Sequence, residues 1–202
     1  MEFVILIIIS YLLGSIPFGY LIAKYNKVDI QKVGSGNIGA ANVTRALGAK
    51  WGALTLILDV VKGFAAISLV NLLFIEPKVG YYILAGSFAI VGHFKSVWLN
   101  FKGGKVVATS LGVLLGLTPD WFIIVILLVF VITILLAKKF GSPKIASQKV
   151  ALGSMIAAIS AVIVKIIFGG GFNQDNFEIT LFIIGITIMI LIAHRENIKK
   201  II

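Results

Sequence analysis

The chain has 202 residues, 59% of them hydrophobic and 13% charged, with a mean hydropathy of +1.09; this excludes a water-soluble globular domain and points to helices embedded in lipid. It contains no cysteine and two histidines, which removes disulfides and a thiol nucleophile and leaves no expectation of a metal site. In such a chain a net charge of +10 points to cytoplasmic flanks and anionic partners, either lipid headgroups or phosphorylated substrates, and not to nucleic acid.

Seven apolar runs follow one another: Phe3–Tyr25, Trp51–Phe74, Val79–Trp98, Val106–Leu117, Trp121–Ala137, Val150–Phe168 and Ile179–Ala193. The first opens with Glu2, carries Lys24 at its far end and is interrupted by a Gly14-Ser15-Ile16-Pro17 kink, so it reads as a retained helix and not a cleaved signal. If all seven runs cross, every one of the 18 basic residues except Lys62, Lys78 and Lys165 flanks one side of the membrane. Glu2, Glu76, Asp120, Asp175 and Glu178 fall on the other. The positive-inside rule then places the basic loops and the C-terminus in the cytoplasm and the N-terminus outside.

The fourth run is short. Its apolar residues would rise roughly 18 Å as a helix, against about 30 Å of hydrocarbon. Without its crossing the Lys138–Lys149 stretch and the tail would move outside and the charge bias would vanish. A short helix starting below the cytoplasmic surface is tolerated where it lines a cavity, which would put Lys102–Lys105 at the floor of a cytoplasm-facing pocket. The expected fold is therefore an all-α integral membrane protein with seven transmembrane helices, one of them short, forming a single domain over residues 1–202. No internal repeat is visible, which speaks against a transporter. The glycine-rich stretch from Gly169 to Glu178 reads as an external loop without chemistry.

Two polar, glycine-rich segments interrupt this pattern. Gly34–Arg45, GSGNIGAANVTR, places Gly34, Gly36 and Gly39 among Ser35, Asn37 and Asn42. Glycines let backbone N–H groups converge on an anion, and the Arg45 guanidinium pairs bidentately with phosphate. It is not a Walker loop, since no G-x-x-x-x-G-K-[ST] pattern is present. The second, FKGGKVVAT, sets Gly103, Gly104 and Lys105 at a helix start, where unpaired N–H groups and the helix dipole favour an anion. Asp59 and Lys62, spaced i, i+3 inside the second run, read as a structural ion pair, and His93 as a structural histidine. Ser154 alone reads as a small packing residue. At the tail, a continuing helix would put His194 and Asn197 on one face, where they can orient a hydroxyl or hold an oxyanion, with Arg195 and Glu196 pointing elsewhere.

The segments GSGNIGAANVTR, LDVVKG, GHFKSVWLNFKGGKVVAT, VALGSM and HRENI, in this order, resemble the bacterial acyl-phosphate:glycerol-3-phosphate acyltransferases of the PlsY family over nearly the whole chain. The resemblance implies a multi-pass enzyme of the bacterial inner membrane, with its active site open to the cytoplasm and no cofactor. It would transfer a fatty acyl group from acyl phosphate to the 1-position of glycerol 3-phosphate, giving lysophosphatidic acid and phosphate, and act on membrane lipid precursors as a monomer. It implicates Ser35, Ser154, His194 and Asn197 in catalysis and Arg45 and Lys105 in substrate binding, with residues 37–43 holding a phosphate. Gly36, Asn37, Gly39, Asn42, Gly103 and Gly104 complete the expected anion-binding set. An acyl phosphate is already activated, so positioning and charge stabilisation suffice. The general base stands open between His194 and a substrate phosphate oxygen.

Four residues depart from the family pattern: Ala41 for a threonine, Ser96 for a proline, Val106 for a glycine and Ala151 for a serine. A β-branched valine follows unusual φ values poorly. These departures motivate an alternative expectation, a paralogue that binds lipid or phosphate without turnover.

Overall fold

The computed structural model describes residues 2–118, 120–142, 145, 148–174 and 176–201, the last without its side chain. Lys144 and Asp175 of the charge pattern lie outside the described residues. Among the described residues all regular structure is helical, and the chain divides into two compact units, Met1–Leu117 and Thr118–Ile202.

In the first unit α1 (Glu2–Ser15) and α2 (Phe18–Tyr25) make up one apolar stretch of 24 residues broken at Pro17. Proline lacks an N–H and so cannot continue the helical ladder. The polar run expected as one loop divides. Gly34–Gly39 is loop, whereas Ala40–Leu47 forms α3, an amphipathic helix whose Asn42 and Val43 face inward. Next come α4 (Ala49–Leu73), α5 (Val79–Phe94), a 3-10 turn at Val97–Leu99 and α6 (Val107–Leu115). Helix α6 is shorter than the expected run: it has 9 residues because Val106 takes a left-handed conformation and the helix ends at Gly116. Small residues let the backbones touch, as between membrane helices generally. A Cβ on Gly14 of α1 would stand 2.0 Å from Ala89 O of α5, and one on Gly112 of α6 would stand 1.9 Å from Val60 O of α4. One apolar cluster, Ile22, Ala23, Ile30, Ile38 and Val43, lies beneath the Gly34 loop and takes Leu99 from the 3-10 turn against it. The cluster thus touches both the first glycine-rich segment and the turn that leads into the second.

The second unit holds α7 (Asp120–Lys139), α8 (Lys149–Phe168), α9 (Phe177–Ala193) and α10 (Arg195–Ile201). α8 packs between α7 and α9 through Ala151, Met155, Ala158 and Ala161, and Thr187 Oγ1 donates to Ala158 O at 2.9 Å. Lys165 donates to Asn176 Oδ1 at 2.6 Å and Thr180 to Gly171 O at 2.6 Å, which fastens the loop between α8 and α9. An apolar hollow of about 410 Å³ lies between α7 and α8, lined by Trp121, Val125, Val164 and Phe168.

Among the described residues five stretches are long and apolar enough to span a bilayer: Glu2–Tyr25, Ala49–Leu73, Val79–Leu99, Asp120–Lys139 and Lys149–Phe168, with Phe177–Ala193 a shorter apolar helix. Their outward faces carry Ile57, Leu72, Leu128, Ile132, Leu135 and Ile167, all more than half exposed. In water such a surface would aggregate; in hydrocarbon it is the solvated face. The protein is an all-helical membrane protein.

Candidate active site

The Gly34–Arg45 segment is held by one side chain. Asn42, 2% exposed, sits in the first turn of α3. Its Oδ1 accepts the Ser35 N–H at 2.9 Å and Arg45 Nη1 at 3.4 Å, and its Nδ2 donates to Val33 O at 2.9 Å and Ile30 O at 3.3 Å. An amide alone among side chains offers both the acceptor and the donors this requires. Gly34 and Gly36 take positive φ, +60° and +69°, and a Cβ on Gly34 would meet Asn42 Oδ1 at 2.3 Å. The outcome is a tight loop with Ser35 and Arg45 exposed, Gly36, Asn37 and Gly39 half-buried beside them, and Arg45 steered toward Ser35 through a shared partner. Asn42, expected among the ligand-binding groups, has its side chain committed to the loop itself.

The second segment rests on the end of α5. Asn100 and Phe101 take left-handed conformations, the Phe101 N–H bonds to Ser96 O at 2.9 Å, and the Gly104 N–H bonds to His93 O at 3.0 Å. Gly103 lies over the same carbonyl, and Lys105 is half-buried just before α6. Val106, at φ +58° and fully buried, keeps the backbone path that glycine would take freely. Ser96, where the family pattern has proline, is also buried; its Oγ donates to Ser15 O at 2.6 Å and ties the end of α5 to the α1–α2 break.

In the second unit Ser154 is buried on α8, its Oγ donating to Val150 O at 2.9 Å. The helix does not continue through the tail as the spacing had suggested. It stops at Ala193, and His194 forms the junction: its N–H closes α9 onto Ile190 O at 3.0 Å, and its carbonyl accepts the N–H groups of Asn197 at 2.8 Å and Ile198 at 3.0 Å to start α10. The imidazole is 3% exposed, with Nδ1 2.8 Å from Ile190 O. A carbonyl only accepts, so this contact assigns the proton to Nδ1 and the lone pair to Nε2 in the neutral ring. Asn197 Nδ2 donates to Gln148 Oε1 at 2.8 Å, bringing α10 onto the start of α8. Gln148 was not singled out from the sequence, where a glutamine before an apolar run carries no signal. Arg195 and Glu196 are exposed and pair with each other, and Glu196 also pairs with Lys199.

Each unit therefore assembles part of the expected set. In the first, Ser35, Asn42 and Arg45 are joined, and Gly104 is held separately by the end of α5; in the second, His194 and Asn197 are linked, with Gln148 added from outside that set. The fold and these groups define a class: helical membrane proteins whose first unit carries two glycine-rich segments with Arg45 and Lys105, and whose second unit buries a serine and an imidazole at its helix ends. Comparison with known proteins makes this specific. The family described as glycerol-3-phosphate acyltransferase matches residues 4–202, and the chain belongs to that family. A glycerol-3-phosphate acyltransferase of Endomicrobium trichonymphae is 40% identical over 98% of this chain and 92% of its own length. One from Geobacillus kaustophilus is 39% identical over 98% and 91%. Among solved structures, PlsY, described as an integral membrane glycerol 3-phosphate acyltransferase, is 37% identical in its glycerol 3-phosphate form, with a TM-score of 0.83 over 99% of this chain and 92% of that one. Its lysophosphatidic acid form gives a TM-score of 0.81 over 99% and 91%.

Proposed function

We propose that the chain transfers a fatty acyl group from acyl phosphate to the 1-hydroxyl of glycerol 3-phosphate, yielding lysophosphatidic acid and inorganic phosphate. The observation that carries this reading is the match to PlsY over 99% of the chain, a relative solved with the acceptor and with the acylated product. The protein would work as a single domain and a monomer in the bacterial inner membrane. It would have seven spans, α6 being the short one, an external N-terminus and a cytoplasmic C-terminus, as the distribution of lysine and arginine supports.

In this reading Arg45 and Lys105 neutralise phosphate groups, assisted by the N–H groups of Asn37, Gly39 and Gly103, while Gly36 and Gly104, whose N–H groups are held by Val33 O and His93 O, shape the two loops. Asn42 acts one step back, by shaping the loop that carries Ser35 and Arg45. Ser35, Ser154, His194 and Asn197 orient the acceptor hydroxyl and the acyl carbonyl. The glycerol oxygen attacks the carbonyl carbon, an ester C–O bond forms, and the C–O bond to phosphate breaks with phosphate as leaving group. The hydroxyl proton passes to His194 Nε2 or to a phosphate oxygen. Donor activation lies in the mixed anhydride, so the protein's contribution is placement and charge.

The test is phosphate release from acyl phosphate by purified protein, with and without glycerol 3-phosphate. Release that depends on glycerol 3-phosphate, and is lost in Arg45→Ala and Lys105→Ala at unchanged melting temperature, is the expected result. Release at the background rate in both conditions would leave a binding protein without turnover.

A further inference from the structure

Three ionisable side chains lie inside the first unit, away from the exposed Ser35 and Arg45. Asp59 and Lys62 on α4 and His93 on α5 are 3%, 3% and 5% exposed. Charge inside a membrane bundle persists where it is paired, and it marks a working part more often than a filler. Lys62 Nζ lies 2.8 Å from Asp59 Oδ1 and also donates at 2.8 Å to Ile16 O, at the Pro17 break. His93 Nδ1 faces the same carboxylate oxygen at 3.6 Å, close enough for charge–dipole attraction but too long for a hydrogen bond.

The opposite edge of the imidazole meets the KGGK loop. A Cβ on Gly104 would stand 2.1 Å from His93 Nε2, 2.9 Å from Cε1 and 3.0 Å from Cδ2. Gly104 is not among the glycines with positive φ, so the imidazole and not the backbone forbids a side chain there. The Gly104 N–H is already bound to His93 O. One residue thus holds the loop by its carbonyl and supports it with its ring, and the ring in turn leans on the Asp59–Lys62 pair.

We infer that His93 is a positioning residue for the Lys102–Lys105 loop: braced by Asp59, its imidazole sets the height at which Gly104 and Lys105 are presented to an anion. That the anion is glycerol 3-phosphate rests on the acyltransferase reading above. A histidine that merely fills the core would be replaceable by another flat ring. Loop placement, by contrast, requires both the ring's bulk beneath Gly104 and its polar edge toward Asp59.

The experiment compares His93→Phe, Asp59→Asn and the double variant with wild type by steady-state kinetics. His93→Phe keeps the bulk and removes the polar edge; the expected result is a KM for glycerol 3-phosphate raised about tenfold with kcat within about threefold. Asp59→Asn gives the same split, and the double variant adds nothing further because the two act as a unit. Wild-type KM in His93→Phe, with only the melting temperature lowered, would overturn the inference. A size swap covers the case in which Asp59→Asn fails to fold. Gly104→Ala lowers the melting temperature, and Gly104→Ala combined with His93→Ala recovers part of the loss. A Gly104→Ala variant as stable as wild type would show that the ring does not support the loop. If wild type turns nothing over but is stabilised by inorganic phosphate, the acyltransferase reading fails alone, and the same variants are judged by their Kd for inorganic phosphate. Wild type that binds neither anion removes both.

Discussion

At the scale of single residues, Asn42 and Val106 carry the most weight per atom. Replacing Asn42 by leucine keeps the number and branching of the side-chain heavy atoms but leaves the Ser35 N–H and the Val33 and Ile30 carbonyls without their partner. Such groups cost about 1–3 kcal/mol each when buried, and the partly open loop recovers some of this from water. Asn42→Leu is expected to lower stability by about 2–3 kcal/mol by this reckoning and to reduce kcat/KM about 100-fold, read from a detergent melt and from phosphate release. A variant with wild-type kcat/KM would show that the loop does not need the amide. Val106 sits left-handed at φ +58° with its side chain fully buried. The conformation costs about 1–2 kcal/mol, and burial of the valine returns about the same. Val106→Gly relieves one and loses the other, so it should melt near wild type. Val106→Ala keeps the strain and loses two methyl groups, and should be less stable by about 1–2 kcal/mol. An alanine variant more stable than the glycine one would contradict this account.

Among the elements, the short ones do the positioning. Helix α3 exists because Asn42, Val43, Ala46 and Leu47 form one face at helical spacing, with Val43 in the cluster beneath the loop and Ala46 and Leu47 packed against it. Helix α6 is seated on α4 by contacts between small residues, Gly112 on the Val60 carbonyl and Gly63 on the Thr109 carbonyl. Gly112→Leu forces the two backbones apart and tilts α6, which begins directly after the KGGK segment. Loss of folded yield, or a melting temperature lowered by about 10 °C or more, is expected from overpacking of a few kcal/mol. Unchanged melting would mean that α6 is not held where it lies. The junction at His194 works in the same way. One residue ends α9 and begins α10, so the imidazole stays at a fixed point while Asn197 turns toward Gln148.

For the molecule as a whole, the arrangement of charge makes a prediction about orientation. The chain has no cysteine, so single cysteines can be introduced without background. Cysteines at Lys27, Lys139 and Lys199 should react with an impermeant maleimide only when the cytoplasmic side is opened, and cysteines at Glu2 and Lys78 from the outside. Lys139 labelled from the same side as Lys78 would reduce the number of crossings between them and overturn the seven-span topology. The exposed apolar faces argue the same membrane setting from a different property, since only hydrocarbon solvates Leu72 and Ile167 without penalty.

The sequence by itself determined the class of fold and the position of nearly every long helix. Lipid permits few backbones other than helices, so each apolar run had one structure open to it, and all seven runs coincide with helices to within a few residues. It also determined the family, because the ordered motifs survive as residue types whatever their geometry. The tertiary structure alone decided what the polar residues do. Asn42 staples the loop from inside, Ser96 takes a carbonyl left at the α1–α2 break, His93 joins Asp59 to Gly104 across three separate segments, and His194 makes a helix break that no neighbouring proline or glycine announces. A polar side chain chooses its partner from whatever donors and acceptors folding brings within about 3 Å, and residues far apart in the chain supply most of them.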